Sequence, residues 1–97
     1  MPRYMTLIRL TQQGIARIKD STQRLDTARK AAEGMGGKIH DWYMLMGKYD
    51  AMFISEFPDD ETVARFMLSV GAQGNVTTVT MKAFTEPEYR RIIGSIP

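Results

Sequence analysis

The sequence has no cysteine. That excludes disulfides within the chain, thiolate metal sites and a cysteine nucleophile, and it fits a reducing cytoplasm, where the protein is expected to work. It has a single histidine, His40. A protein metal site needs several ligands, and one imidazole among scattered carboxylates does not supply them, so no metal and no cofactor are expected. No run of about 18 apolar residues exists, and no apolar N-terminal core precedes a cleavage site, so neither a membrane span nor a signal peptide is expected. No glycine-rich loop opens a helix. Gly34-Met35-Gly36-Gly37 and Gly71–Gly74 both follow helical segments, where the negative end of the dipole repels phosphate. G-x-S-x-G and H-E-x-x-H are absent too. A dense basic stripe is also missing. The net charge is +2, and Arg17, Lys19, Arg24, Arg29, Lys30, Arg90 and Arg91 are scattered over solvated helix faces. No nucleic-acid partner is therefore expected.

What is present is an ordinary globular composition, 43% hydrophobic and 25% charged, in 97 residues. Residues 1–97 read as one domain, without linker, repeat or low-complexity tract. A chain this short leaves much surface uncovered, which oligomerisation would relieve.

Residues 3–10 (RYMTLIRL) read as a first strand with apolar residues on both faces. Thr11 is an N-cap for a helical stretch, in which Ile15, Ile18, Thr22, Leu25, Ala28, Ala32 and Met35 recur three and four apart. Asp20-Ser21 recaps it, so a short helix followed by a longer one is expected, ended by Gly34, Gly36 and Gly37. Residues 38–46 (KIHDWYMLM) and 51–57 (AMFISEF) read as the second and third strands, joined as a hairpin. In strict alternation His40, Trp42, Met44 and Met46 share one face of the second strand, and Ile39, Asp41, Tyr43 and Leu45 the other. Pro58-Asp59-Asp60-Glu61 opens the next helix, with Val63, Phe66, Met67 and Val70 on its apolar face. Residues 75–84 read as the fourth strand. Thr85-Glu86-Pro87-Glu88 matches a capping box, followed by a short helix with Tyr89, Ile92 and Ile93 on one side.

The order is β-α-β-β-α-β plus a terminal helix, a ferredoxin-like α+β arrangement. Right-handed crossovers give a four-stranded antiparallel sheet with strands one and three in the centre. Two helices cover one face, and apolar area is spread over both. A second copy packed sheet against sheet closes a two-chain barrel, burying roughly 800 Å² per chain. A homodimer, or a higher homo-oligomer, is the expected assembly.

Chemistry-bearing residues concentrate around the hairpin: His40, Trp42, Tyr43, Tyr49 and Asp50. His40 is the one side chain that titrates near neutral pH, but Asp41 points to the opposite face and cannot pair with it by adjacency. Trp42 and Tyr43 suit either stacking on a planar ligand or packing across strands. Thr77, Thr78 and Thr80 read as strand formers, and the eight methionines as core filling or an adaptable pocket. Gly47-Lys48-Tyr49-Asp50 has two readings. As a turn, Gly47 supplies a positive φ and Asp50 satisfies backbone N–H groups at the start of the third strand. As a site, Tyr49 and Asp50 act as donor and general base at a rim. The structural role is the expectation for Asp50.

The ordered set "GGKIHDWYMLMGKYDAMFISEFPDDE", "GNVTTVTMKAFT" and "TQQGIARIKDSTQR" resembles the GYD domain family over nearly the whole chain. Lys48 fills the free position between Gly47 and Tyr49. The resemblance implies a small bacterial or archaeal domain of the dimeric α/β-barrel type; it implies no reaction, ligand or catalytic residue. Three functions follow as expectations. The leading one is a homodimeric module that binds a small apolar or aromatic ligand or regulates through interaction, and is not an enzyme. The second, by analogy of fold, is a cofactor-free monooxygenase or lyase, which requires His40, Tyr43, Tyr49 or Asp50 to converge on one cavity. The third is a structural assembly protein that builds higher oligomers.

Overall fold

The elements form where the local patterns place them. The computed structural model describes residues 1–97. β1 is Arg3–Leu10, α1 Gln12–Ala16, α2 Ser21–Gly34, β2 Lys38–Met44, β3 Ala51–Glu56, α3 Asp60–Ala72, β4 Val76–Ala83 and α4 Glu86–Gly94. A single 3-10 turn, Ile18–Asp20, separates α1 from α2 and gives the short-then-long helix pair. Three of the caps read from the sequence form, while Asp20 holds the N-cap position of α2 without a side-chain bond. Thr11 accepts from the Gly14 N–H at 3.1 Å. Asp59 accepts from the N–H and hydroxyl of Thr62 at 2.8 and 2.6 Å, which holds its carboxyl below the usual aspartate range. Thr85 and Glu88 complete a reciprocal capping box.

The sheet order is β2-β3-β1-β4, antiparallel throughout, with β1 and β3 in the centre. The helices cover the face carrying Tyr4, Thr6, Phe53 and Ser55, all buried. The core cluster joins Tyr4, Ile39, Phe53 and Phe57 to Ala32 of α2 and Val63, Phe66 and Met67 of α3. It sits at the end of the sheet where β1 begins. Phe57 stacks obliquely on Phe66, with centroids 5.2 Å apart.

Alternation fails in one place. Ile39 pairs with Ser55 and Trp42 with Phe53, so His40 and Asp41 together oppose Ile54. This is a β-bulge, an extra residue that shifts the phase of the strand. Ile39 and Trp42 therefore lie on the same, helix-covered face, correcting the strict alternation expected for residues 38–46. Tyr43, opposite Met52, lies on the open face. The strand also stops at Met44, two residues sooner than expected.

The open face carries Met5 and Leu7 of β1, Met52 and Ile54 of β3, and Val79 and Met81 of β4, with Tyr43 beside them. Tyr43, Val79 and Met81 are 56, 47 and 41% exposed. Nothing in the chain covers this surface. α4 is set apart from the body: none of its residues is buried, and it has no extended contact with any other element. The Cα radius of gyration is accordingly 14.7 Å, against about 12.5 Å for a compact chain of this length.

One side-chain bond ties β1 to the start of α3. The Tyr4 hydroxyl donates to the Asp60 carboxylate. Burial pushes the Tyr4 hydroxyl up to about 12, and the bond and charge of Asp60 push it the same way. The folded state thus holds this proton more tightly than the unfolded chain, whose tyrosine titrates near 10.0. The contribution to stability is complete below that value and is lost as pH rises through about 12. Chemical denaturation from pH 8 to 12 should show the wild-type midpoint falling over the upper part of this range, and a smaller fall for Tyr4→Phe. Parallel curves for the two proteins would contradict this role for Tyr4.

Candidate functional site

The largest concavity lies at the other end of the helix-covered face. Near Tyr4 the gap between α2 and α3 is filled by the core. Toward the C-terminal end of β1 it opens into a groove of about 420 Å³. Its floor is Ile8, Leu10, Trp42, Ala51, Phe53, Val76 and Thr78 of the sheet. Its walls are Ile15, Ile18, Leu25 and Ala28 on one side and Phe66, Met67 and Val70 on the other. Ile15 and Ile18 are 55 and 44% exposed, so the apolar stripe of the first helical stretch is covered only in its second half.

Backbone and side-chain bonds close the far end of the groove. The Thr11 hydroxyl donates to the Gly74 carbonyl at 2.6 Å, and the Thr11 N–H donates to the Asn75 carbonyl at 3.0 Å. The Gln13 amide donates to the Gln73 carbonyl and the Asn75 side chain, each at 2.9 Å. Gly14 completes the approach. A Cβ at this position would collide with the Asn75 carbonyl, so no other residue allows α1 to lie this close.

The structure divides the five candidate residues. Trp42 and Asp50 line the groove. Tyr43 stands on the opposite face of the sheet. His40, in the bulge, lies beside Glu56, with its Nε2 3.6 Å from a carboxylate oxygen that Arg3 also approaches at 3.0 Å. Tyr49 sits at the hairpin tip, with the Lys48 ammonium 5.9 Å from its ring centroid. Of His40, Tyr43, Tyr49 and Asp50, only Asp50 therefore lines the groove.

Asp50 is held in place twice. Its carboxylate accepts the Leu10 N–H at 2.7 Å, and its own N–H donates to the Ile8 carbonyl at 2.8 Å. Its carbonyl closes the hairpin by accepting the Leu45 N–H at 2.8 Å. The carboxylate satisfies a backbone donor, as expected, but the donor belongs to the end of β1 and not to the Gly47–Asp50 turn. Gly47 takes φ +136°, as the turn reading requires. Sequence reasoning missed the groove, because Ile15 and Ile18 at helical spacing read as covered core positions and their exposure shows only in the fold. It also missed a small cavity of about 220 Å³ beside Tyr4, Asp60, Thr80 and Lys82. There the Lys82 ammonium is 3.7 Å from Asp60, and the Thr6 and Thr80 hydroxyls are 2.9 Å apart.

The GYD domain model matches residues 4–93. The chain belongs to the GYD domain family. A relative from Thermus thermophilus, the "Glutamine synthetase and cystathionine beta-lyase binding protein", is 31% identical over 84 residues, covering 86% of this chain and 88% of that protein. Among solved structures, MtbAldR superposes with a TM-score of 0.69 at 19% identity over 88% of this GYD domain, and B. subtilis LrpC with 0.61 at 19% over the same share. The GYD domain spans about half of each of those two chains, 52 and 51%. A further structure, also from Thermus thermophilus, gives 0.56 at 20% identity, covering 88% of this chain and 95% of that one. At these identities the superpositions show the fold, a ferredoxin-like sheet with helices on one side. No helix of the GYD domain is long and apolar enough to cross a membrane.

The double tether makes a direct prediction for Asp50. Asp50→Asn keeps an acceptor oxygen and should leave the thermal midpoint close to wild type. Asp50→Ala leaves the Leu10 N–H without its partner and should cost about 1 to 3 kcal/mol. Equal, negligible shifts for both in thermal melts would contradict the structural role.

Proposed function

We propose that the chain is a homodimeric interaction module. It pairs with itself through the open sheet face and regulates by binding another protein in the cytoplasm. The observation that carries this reading is the uncovered sheet. Seven large side chains, from Met5 to Met81, form one apolar face on a protein whose α1, α2 and α3 lie on the other side. Contiguous apolar surface of that kind marks an interaction site on a soluble protein. Pairing two copies there buries roughly the 800 Å² per partner of a stable interface.

The relative's name supports the second half of the reading, since it describes a protein that binds two metabolic enzymes. Enzymes of nitrogen or sulfur amino-acid metabolism are the partners this resemblance favours. A second reading, a small apolar or aromatic ligand, is favoured by the groove, whose volume lies within the range of small-molecule sites. Native mass spectrometry of protein purified from its own host would show such a ligand as a mass increment.

Light scattering tests the leading reading, with the chain alone and mixed with purified glutamine synthetase or cystathionine β-lyase from the same host. The wild type should run as a dimer or larger and form a complex with at least one enzyme at micromolar concentration. Tyr43→Glu combined with Met81→Glu should halve the mass of the sheet-paired species. A wild-type monomer would overturn the pairing. A stable dimer that binds neither enzyme would overturn the choice of partner.

A further inference from the structure

Two apolar features of this chain lack a partner, and they match one another. The first is α4. Phe84, Tyr89, Ile92, Ile93 and Ile96 are 56, 60, 40, 49 and 61% exposed. Tyr89, Ile92 and Ile93 recur at i, i+3 and i+4 on the helix, the spacing with which an amphipathic helix enters an apolar groove, and Phe84 and Ile96 flank it just outside its two ends. The second is the groove between α2 and α3, with Ile15 and Ile18 exposed along its wall.

α4 is formed before it docks. Thr85 and Glu88 cap its first turn reciprocally, Pro87 lies inside that turn, and Arg90 pairs with Glu86 at 2.7 Å. These are local devices, independent of the body, and they remove much of the ordering entropy that docking would otherwise cost.

The groove of the same chain is out of reach. β4 contributes Val76 and Thr78 to the groove, while α4 departs beyond Ala83, at the opposite end of the sheet. The seven-residue separation of Val76 from Ala83 is roughly 23 Å of strand, whereas a nine-residue helix is about 13 Å long. At the α4 end the helix-covered face holds the core of Phe57, Val63 and Phe66 and the small cavity beside Tyr4, Thr80 and Lys82, about half the volume of the groove.

We infer that α4 is an arm that docks into the groove of a second copy. The groove lies on the face of the sheet opposite the one proposed for pairing. The arm is therefore a second interface, which joins sheet-paired dimers into larger assemblies. The groove carries one charge of each sign, Arg24 and Asp50, and α4 two of each, Glu86 and Glu88 with Arg90 and Arg91, so charge does not oppose the match. Area agrees with it. Five half-exposed side chains at roughly 100 Å² apiece bury about 500 Å² per arm. With the groove surface they cover, a reciprocal exchange reaches the roughly 800 Å² per partner of a stable interface.

The cysteine-free sequence makes the test clean. One preparation carries Ile92→Cys and a second, size-tagged, carries Ile18→Cys; both are first checked for a wild-type circular dichroism melt, and the two are mixed and mildly oxidised. Ile93→Cys with Ile15→Cys serves as a second pair should either variant of the first fail to fold. Leu68→Cys, on the outward side of α3 and 75% exposed, is the control partner. The groove pair should give a disulfide between the two variants, about tenfold or more above the control, because docking holds the thiols at millimolar effective concentration. Equal yields with Leu68→Cys, no disulfide with either pair, or an in-chain disulfide when Ile92→Cys and Ile18→Cys share one chain would each overturn the inference. A ligand-filled groove that blocks the groove pair would overturn it too. A cross-link that persists in the Tyr43→Glu/Met81→Glu background separates the arm from sheet pairing, so that either claim can fail alone.

Discussion

A four-stranded sheet has two faces, and this chain carries helices to cover one. Every other feature is arranged around that imbalance. β1 and β3 are central strands with apolar residues on both sides, so neither face is left to water without cost. On the covered side, Tyr4, Phe53 and Phe57 meet Val63, Phe66 and Met67 in a small core. On the other side, Met5, Leu7, Met52, Ile54, Val79 and Met81 have nothing above them. The one spare helix, α4, is set apart from the body and does not cover that side. On the proposed reading, a second copy supplies the missing layer.

Within the covered layer, β1 is pinned at both ends by residues distant in sequence. At its start the Tyr4 hydroxyl is bound to Asp60, which ties the strand to the first turn of α3. At its end the Leu10 N–H is bound to the Asp50 carboxylate, which ties the strand to the hairpin. Thr11 and Gln13 then anchor the following turn to Gln73, Gly74 and Asn75. The core is dense at the Tyr4 end and open at the Asp50 end. The same two helices therefore give a packed core and a groove at once: Ala32 fills the gap at one end, and nothing from α3 reaches Ile15 and Ile18 at the other.

Much of this was legible from the residues. The element order, the caps at Thr11, Asp59 and Thr85, the central position of β1 and β3, and the apolar residues on both faces follow from periodicity and turn chemistry. Three things did not. The bulge at His40-Asp41 inserts one residue without any local marker, and it alone moves Trp42 to the helix side. The partner of Asp50 is 40 positions away, beyond any local pattern; the sequence indicated an acceptor at a strand start but not the donor. The groove was hidden because a helical stripe shows which residues seek cover, not whether cover is present. Of the five candidate site residues, the fold brings Trp42 and Asp50 together and sends His40, Tyr43 and Tyr49 elsewhere.

Pairing through the open sheet is the central claim, and methyl NMR across the interface tests it most directly. Met5, Met52 and Met81 mark the open face, while Met67 marks the core. In a mixture of copies labelled at methionine methyls with copies labelled at leucine and valine methyls, isotope-filtered spectra report only contacts between chains. The account predicts intermolecular cross-peaks from Met5, Met52 and Met81 to Leu7 and Val79, and none from Met67. Intermolecular peaks confined to other surfaces, or their absence at concentrations where the protein is folded, would contradict it.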